Sequence, residues 1–142
     1  MPPEAARLKR LNRLERVRAL AKQDALRAAA EAEGHLAQLN ALAERTARIA
    51  EDYRARRDCQ TGADLRRLAT FVDGIAAIGT ATTRDAITAR ALADKRQQDL
   101  ARAERSRAAA EDRVHAEVRA QAQRTKNPAL TGRRVIGTGL DG

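Results

Sequence analysis

Residues 58–64 read DCQTGAD, and this interruption decides the fold. Before it, from Ala5 to Arg57, the chain has no proline and one glycine, Gly34. Apolar or small residues recur there at Leu11, Leu14, Ala21, Ala25, Ala28, Ala32, Leu39, Leu42, Ile49 and Tyr53, in alternating steps of three and four, with gaps at Arg18, His35 and Thr46. After it the same rhythm resumes at Leu65, Leu68, Val72, Ile75, Gly79, Thr82, Ala86, Ala89, Ala93, Leu100, Ala103, Ala110 and Val114, broken at Arg96 and Arg107. Steps of three and four keep residues on one helical face, and their sustained alternation is the pattern of a coiled-coil seam. Two long helices joined by so short a break fold back on each other. The sequence therefore predicts an all-α antiparallel coiled-coil hairpin over residues 1–125, with its turn near 59–64. Gly62 suits a left-handed helix C-cap, and Thr61 or Asp64 suits the N-cap of the second helix.

Composition supports extended helices over a compact core. Aromatic residues are 1% of the chain, charged residues are 33%, and much of the apolar fraction is alanine, which buries little area. Ala, Arg, Leu, Glu and Gln are strong helix formers. High charge also fits disorder, but the regular seam argues against that. The weakest helical stretch is GIAAIGTATT at 74–83, where each glycine costs roughly 1 kcal/mol relative to alanine. A continuous helix with local bending is expected there. Asn127-Pro128 predicts a helix stop, followed by a flexible, basic, glycine-rich tail over 126–142.

The net charge of +9 is unevenly placed. Residues 1–22 carry seven basic and two acidic side chains, residues 119–134 carry five basic and none acidic, and residues 23–118 balance at sixteen of each. A hairpin brings the two basic segments together at its open end. Solubility alone explains some of this charge, but its concentration favours an acidic partner. Nucleic acid is one candidate, although no aromatics interleave the basic residues and no nucleic-acid-binding motif is present.

The only Tyr and the only Phe, Tyr53 and Phe71, each lie nine residues from Gly62. A hairpin sets them opposite each other near the turn. In one reading they plug the core where the helices diverge; in the other they form a small exposed patch that docks a partner.

No enzyme constellation is visible. His35 and His115 fall at different levels of a hairpin, and Cys59 has no second thiol, so neither a metal site nor a disulfide is expected. No G-x-x-x-x-G-K-[ST] loop is present, and no Ser, His and Asp come within mutual reach. No cofactor or small-molecule substrate is expected. The N-terminus lacks a continuous apolar stretch, and no run approaches the ~20 residues of a membrane span, which points to the cytoplasm.

An acidic residue before Tyr53-Arg54, then Gly62, Leu65, Phe71-Val72 and Ile75, resemble the hairpin tip of the FliJ family of flagellar export proteins and of related type III secretion stalks. The resemblance covers residues 4 to about 125. It implies a non-enzymatic, cytoplasmic hairpin, peripherally associated with the inner membrane through the export apparatus. The open end would enter the hexameric export ATPase, here through Arg7, Lys9, Arg10, Arg13, Arg16, Arg18, Arg119 and Arg124. The region near the turn would bind the cytoplasmic domain of the large export-gate membrane protein through Ile49, Tyr53, Phe71, Ile75 and Ile78. Export chaperones are further implied partners. The turn is shorter than the family's, Ala and Thr follow Ile78, and the glycine-rich tail is unfamiliar. A nucleic-acid-binding coiled coil and a structural spacer are the alternative readings.

Overall fold

In the computed structural model, residues 2–138 are described, with side chains through residue 127. Two helices account for nearly all of them: α1, Pro3–Arg54, and α2, Gly62–Thr138. They are antiparallel and pack against each other, and no strand is present among the described residues. The chain divides into two compact units, each built from one segment of each helix. One joins Met1–Asp24 to Ala101–Gly142, and the other is Ala25–Leu100 with the turn.

The turn differs in detail from the expectation. α1 ends at Arg54, where the Ala55 N–H donates to the Glu51 carbonyl at 3.0 Å and the Arg56 N–H to the Tyr53 carbonyl at 3.3 Å. The connection is therefore 55–61. Gly62 is not a left-handed C-cap: among the described residues none has positive φ, and Gly62 is the first residue of α2. The chain unwinds over several residues before the reversal, so no single position must adopt the conformation that glycine favours. Thr61 does cap α2, its Oγ1 accepting the Asp64 N–H at 3.1 Å.

α2 is continuous through 74–83. Threonine hydroxyls in and around this stretch donate to carbonyls one turn back, Thr80 to Ala76, Thr82 to Ile78 and Thr83 to Gly79, which satisfies them without breaking the helix. The helical backbone also passes Asn127-Pro128, where the sequence predicts a stop, and reaches Thr138. A proline deletes one intrahelical donor but leaves the neighbouring ones in place. The expected tail at 126–142 lies largely beyond the described side chains, and 139–142 lie outside the described residues.

The α2 seam follows the sequence closely. Val72, Thr82, Ala86, Ala89, Ala93, Leu100 and Ala110 are buried, Arg96 and Arg107 lie half-buried on the seam instead of breaking it, and only Leu65 is exposed. The α1 seam is rotated. Positions 32, 39, 46 and 53 face inward as expected, with Thr46 buried where a gap was read. The companion column, however, is Ala29, Leu36, Ala43 and Ala50, leaving His35 and Leu42 exposed and Ile49 half-buried. Both columns recur every seven residues, and packing chooses between them. At Gly79 an added Cβ would stand 3.2 Å from Thr46 Oγ1, so the helices approach closely there and the smaller column fits.

The glycines of α2 should therefore respond differently to substitution. Gly74 is exposed with nothing within 4 Å, so Gly74→Ala is expected to stabilise by about 1 kcal/mol through helix propensity. Gly79→Leu must displace Thr46 and is expected to destabilise by about 1–3 kcal/mol. Thermal and urea unfolding of the two variants measures both; equal and opposite signs are not required, but a stabilised Gly79→Leu would rule out close approach at Thr46.

Candidate functional site

Near the turn, Tyr53 and Phe71 meet across the two helices, their centroids 4.7 Å apart and planes tilted by 58°. This is a favourable edge-inclined geometry. The Arg56 guanidinium lies 4.0 Å from the centre of the Tyr53 ring, a cation–π contact that the sequence reading did not include. Tyr53 is half-buried and Phe71 is 45% exposed. The pair thus packs and remains accessible, because a seam of small residues cannot enclose two rings.

The other residues assigned to this surface divide by helical position. Ile75 is a half-buried seam residue, Ile49 flanks the seam, and Ile78 is 51% exposed. Phe71, Ile78 and Leu92 are exposed and fall in one seven-residue column of α2, with Asp85 between the last two. Leu42 and Ile49 hold the equivalent column of α1. Leu42 and Leu92 were missed as surface residues; the seven-residue recurrence from Phe71 was the available signal for Leu92. The small seam residues also leave an open groove of about 470 Å³ lined by Thr46, Ala50, Ile75, Ala76 and Gly79, with Arg54 and Arg84 at its rim.

The terminal unit holds the basic residues. Lys9, Arg10, Arg13, Arg16, Arg18 and Arg119 are exposed and make no ion pair with described residues. Arg7 and Arg124 are engaged. The Glu117 carboxylate is buried on the α2 seam. Arg124 Nη2 lies 2.9 Å from its Oε1, Arg7 Nε lies 3.4 Å from its Oε2, and the Gln121 amide donates to Oε1 at 3.3 Å. Gln121 Nε2 also donates to the Glu4 carbonyl at 2.8 Å, and Arg124 Nε lies 3.3 Å from Glu4 Oε1. This cluster ties the first turn of α1 to α2. Burial alone pushes the Glu117 carboxyl up, but the Gln121 hydrogen bond, Arg7 and Arg124 together outweigh it and hold the group below its ordinary value of 4.5. Nearby on the same seam, Arg107 Nε is buried without a hydrogen-bond partner, 3.5 Å from Glu15 Oε1.

Among the described residues, no group of three or more His, Cys, Asp or Glu is placed to hold a metal ion, and no helix is long and apolar enough to cross a membrane. Comparison with protein-family models, with curated proteins and with solved structures found no match to this chain.

The lowered Glu117 pKa fixes the sign of its pH effect. The folded carboxyl binds a proton less readily than the unfolded one, so its contribution is complete above about 4.5 and is lost as pH falls through the depressed folded value. At pH 7 the wild type is expected to melt above Glu117→Gln. Below pH 4.5 the two melting temperatures should converge; a gap that is constant down to pH 3 would exclude an ionised Glu117 as the source.

Proposed function

We propose that this chain is a non-enzymatic stalk and escort component of flagellar type III protein export, coupling the export ATPase hexamer to the export gate and cycling export chaperones. The carrying observation is the Tyr53–Phe71 pair: two rings that pack on each other beside the turn yet stay accessible, in a chain with no other Tyr or Phe and no Trp. Interface energy concentrates in a few large side chains, and these are the ones available. In this reading the ring pair, with Ile49, Ile75 and Ile78, binds the cytoplasmic domain of the gate protein. The exposed Lys9, Arg10, Arg13, Arg16, Arg18 and Arg119 bind an acidic surface of the ATPase, together with Arg7 and Arg124. The protein acts in the cytoplasm, held at the inner membrane only through its partners. It carries no cofactor and takes no small-molecule substrate. The exposed Ile78 and Leu92, which follow Phe71 in the same column with Asp85 between them, support a protein partner over nucleic acid, whose charged backbone gives apolar side chains nothing to bury against.

Tyr53→Ala and Phe71→Ala are expected to weaken gate binding at least tenfold, as hot-spot rings do. They should lower stability by only ~1–2 kcal/mol, since a half-exposed ring costs less than the ~3–5 of a buried one. Leu14→Ala, a seam change in the terminal unit, should lower stability and leave gate binding intact at low temperature. Binding and melting are measured on the same proteins. Loss of melting temperature with retained gate binding would leave Tyr53 and Phe71 as packing residues. Reversing Arg10, Arg13 and Arg16 to Glu should abolish ATPase stimulation while helicity is kept; salt-sensitive binding to arbitrary DNA, indifferent to Phe71→Ala, would instead favour nucleic acid.

A further inference from the structure

Arg7 and Arg124 belong to the basic surface of the terminal unit, yet both already contact carboxylates of the same chain. The exposure of the partners is unequal. The Arg7 side chain is 65% exposed and that of Arg124 is 47% exposed, whereas the Glu117 side chain is 8% exposed. An incoming carboxylate can therefore reach the outer N–H groups of both arginines but cannot reach Glu117. Arg7 contacts Glu117 through Nε, and Arg124 divides its donors between Glu4 and Glu117.

We propose that Glu117 and Glu4 form an internal carboxylate latch that competes with an acidic protein surface for Arg7 and Arg124. The inference rests on the acidic-partner part of the proposed function. If a partner takes both arginines, Glu117 keeps only the Gln121 amide and becomes a buried, underpaired anion, a strongly unfavourable state. The partner must therefore either bind weakly or open the latch. Gln121 keeps its own bonds to Glu117 and to the Glu4 carbonyl, so opening the latch removes only the Arg124–Glu4 contact from the first turn of α1 and loosens that turn without releasing it. The latch thereby lowers the affinity of the free protein for carboxylate-bearing surfaces in general, and reserves Arg7 and Arg124 for a partner whose own carboxylates outcompete Glu117 and Glu4.

Binding of a labelled oligo-glutamate peptide to the full chain at fixed salt tests this. Glu117→Gln keeps the shape of the side chain and is expected to bind about three- to tenfold tighter than wild type. Asp112→Asn removes the same charge at an exposed position and should tighten binding by less than about twofold, as a screened surface charge does. Adding Arg7→Ala and Arg124→Ala to Glu117→Gln should remove the gain, which a double-mutant comparison isolates. Glu4→Gln releases the Arg124 Nε contact, leaving the one to Glu117, without altering a buried position, and should also tighten binding, by less than Glu117→Gln does, so the outcome does not hinge on the folding of Glu117→Gln. Equal tightening by Glu117→Gln and Asp112→Asn, a gain that survives loss of both arginines, or no gain from Glu4→Gln overturns the latch. Failure of every variant, and of the wild type, to bind the peptide overturns the acidic-partner reading itself and the latch with it.

Discussion

Where Thr46 stands against Gly79, an added Cβ on α2 would lie 3.2 Å from the Thr46 hydroxyl and would push it back by a few tenths of an ångström, and this close approach sets the packing of the Ala25–Leu100 unit. Alanine, glycine and threonine along both seams let the helices come together. The buried residues of this unit are accordingly small: Ala32, Ala86, Ala89 and Ala93 form the core cluster, with Leu36 as its one large buried member and Leu39 partly buried against it. Such a seam removes little apolar area from water per residue, and its stability comes from many dispersion contacts at short range. Buried hydroxyls are tolerated because each bonds within its own helix, Thr46 to the carbonyls of Leu42 and Ala43 and Thr82 to that of Ile78.

The same constraint makes the surface of this unit. A seam that admits small side chains leaves the large ones at its flanks, so Leu42, Ile78, Leu92 and Phe71 face solvent although each sits beside a seam position. Phe71 and Tyr53 are held in register by each other and by Arg56, so the exposed ring is presented in a defined geometry. Packing and presentation are thus two consequences of one arrangement. That is why a single truncation of either ring must be judged by stability and by binding together.

In the terminal unit the seam runs on through polar residues. Arg107, Glu117 and Gln121 occupy its positions where alanine or leucine stands elsewhere. Buried ion pairs contribute little net stability, but a misregistered helix would strand the Glu117 carboxylate without its arginines, so the cluster specifies alignment. It also divides the basic residues into two classes. Lys9, Arg10, Arg13, Arg16, Arg18 and Arg119 are unengaged among the described residues, while Arg7 and Arg124 are committed to internal carboxylates. Net charge by itself overstates the basic surface of this unit.

Two helices, their antiparallel pairing, a cap on α2 at Thr61 or Asp64, the α2 seam and the meeting of Tyr53 with Phe71 were legible in the sequence, because each follows from local spacing or from the position of a single break; the structure chose Thr61. Other features were settled only by the tertiary structure. The α1 face was ambiguous, since columns three and four residues beyond Ala32 are both partly apolar; the choice of Leu36, Ala43 and Ala50 over His35, Leu42 and Ile49 depends on what α2 presents opposite them. The turn residues looked like a glycine C-cap because the sequence cannot show how far α1 unwinds before reversing. The engagement of Arg7 and Arg124 by Glu117 was hidden for a related reason. A glutamate on a charge-rich segment reads as a solvated residue until a second helix covers it, and only that burial makes its two arginines partners instead of surface charges.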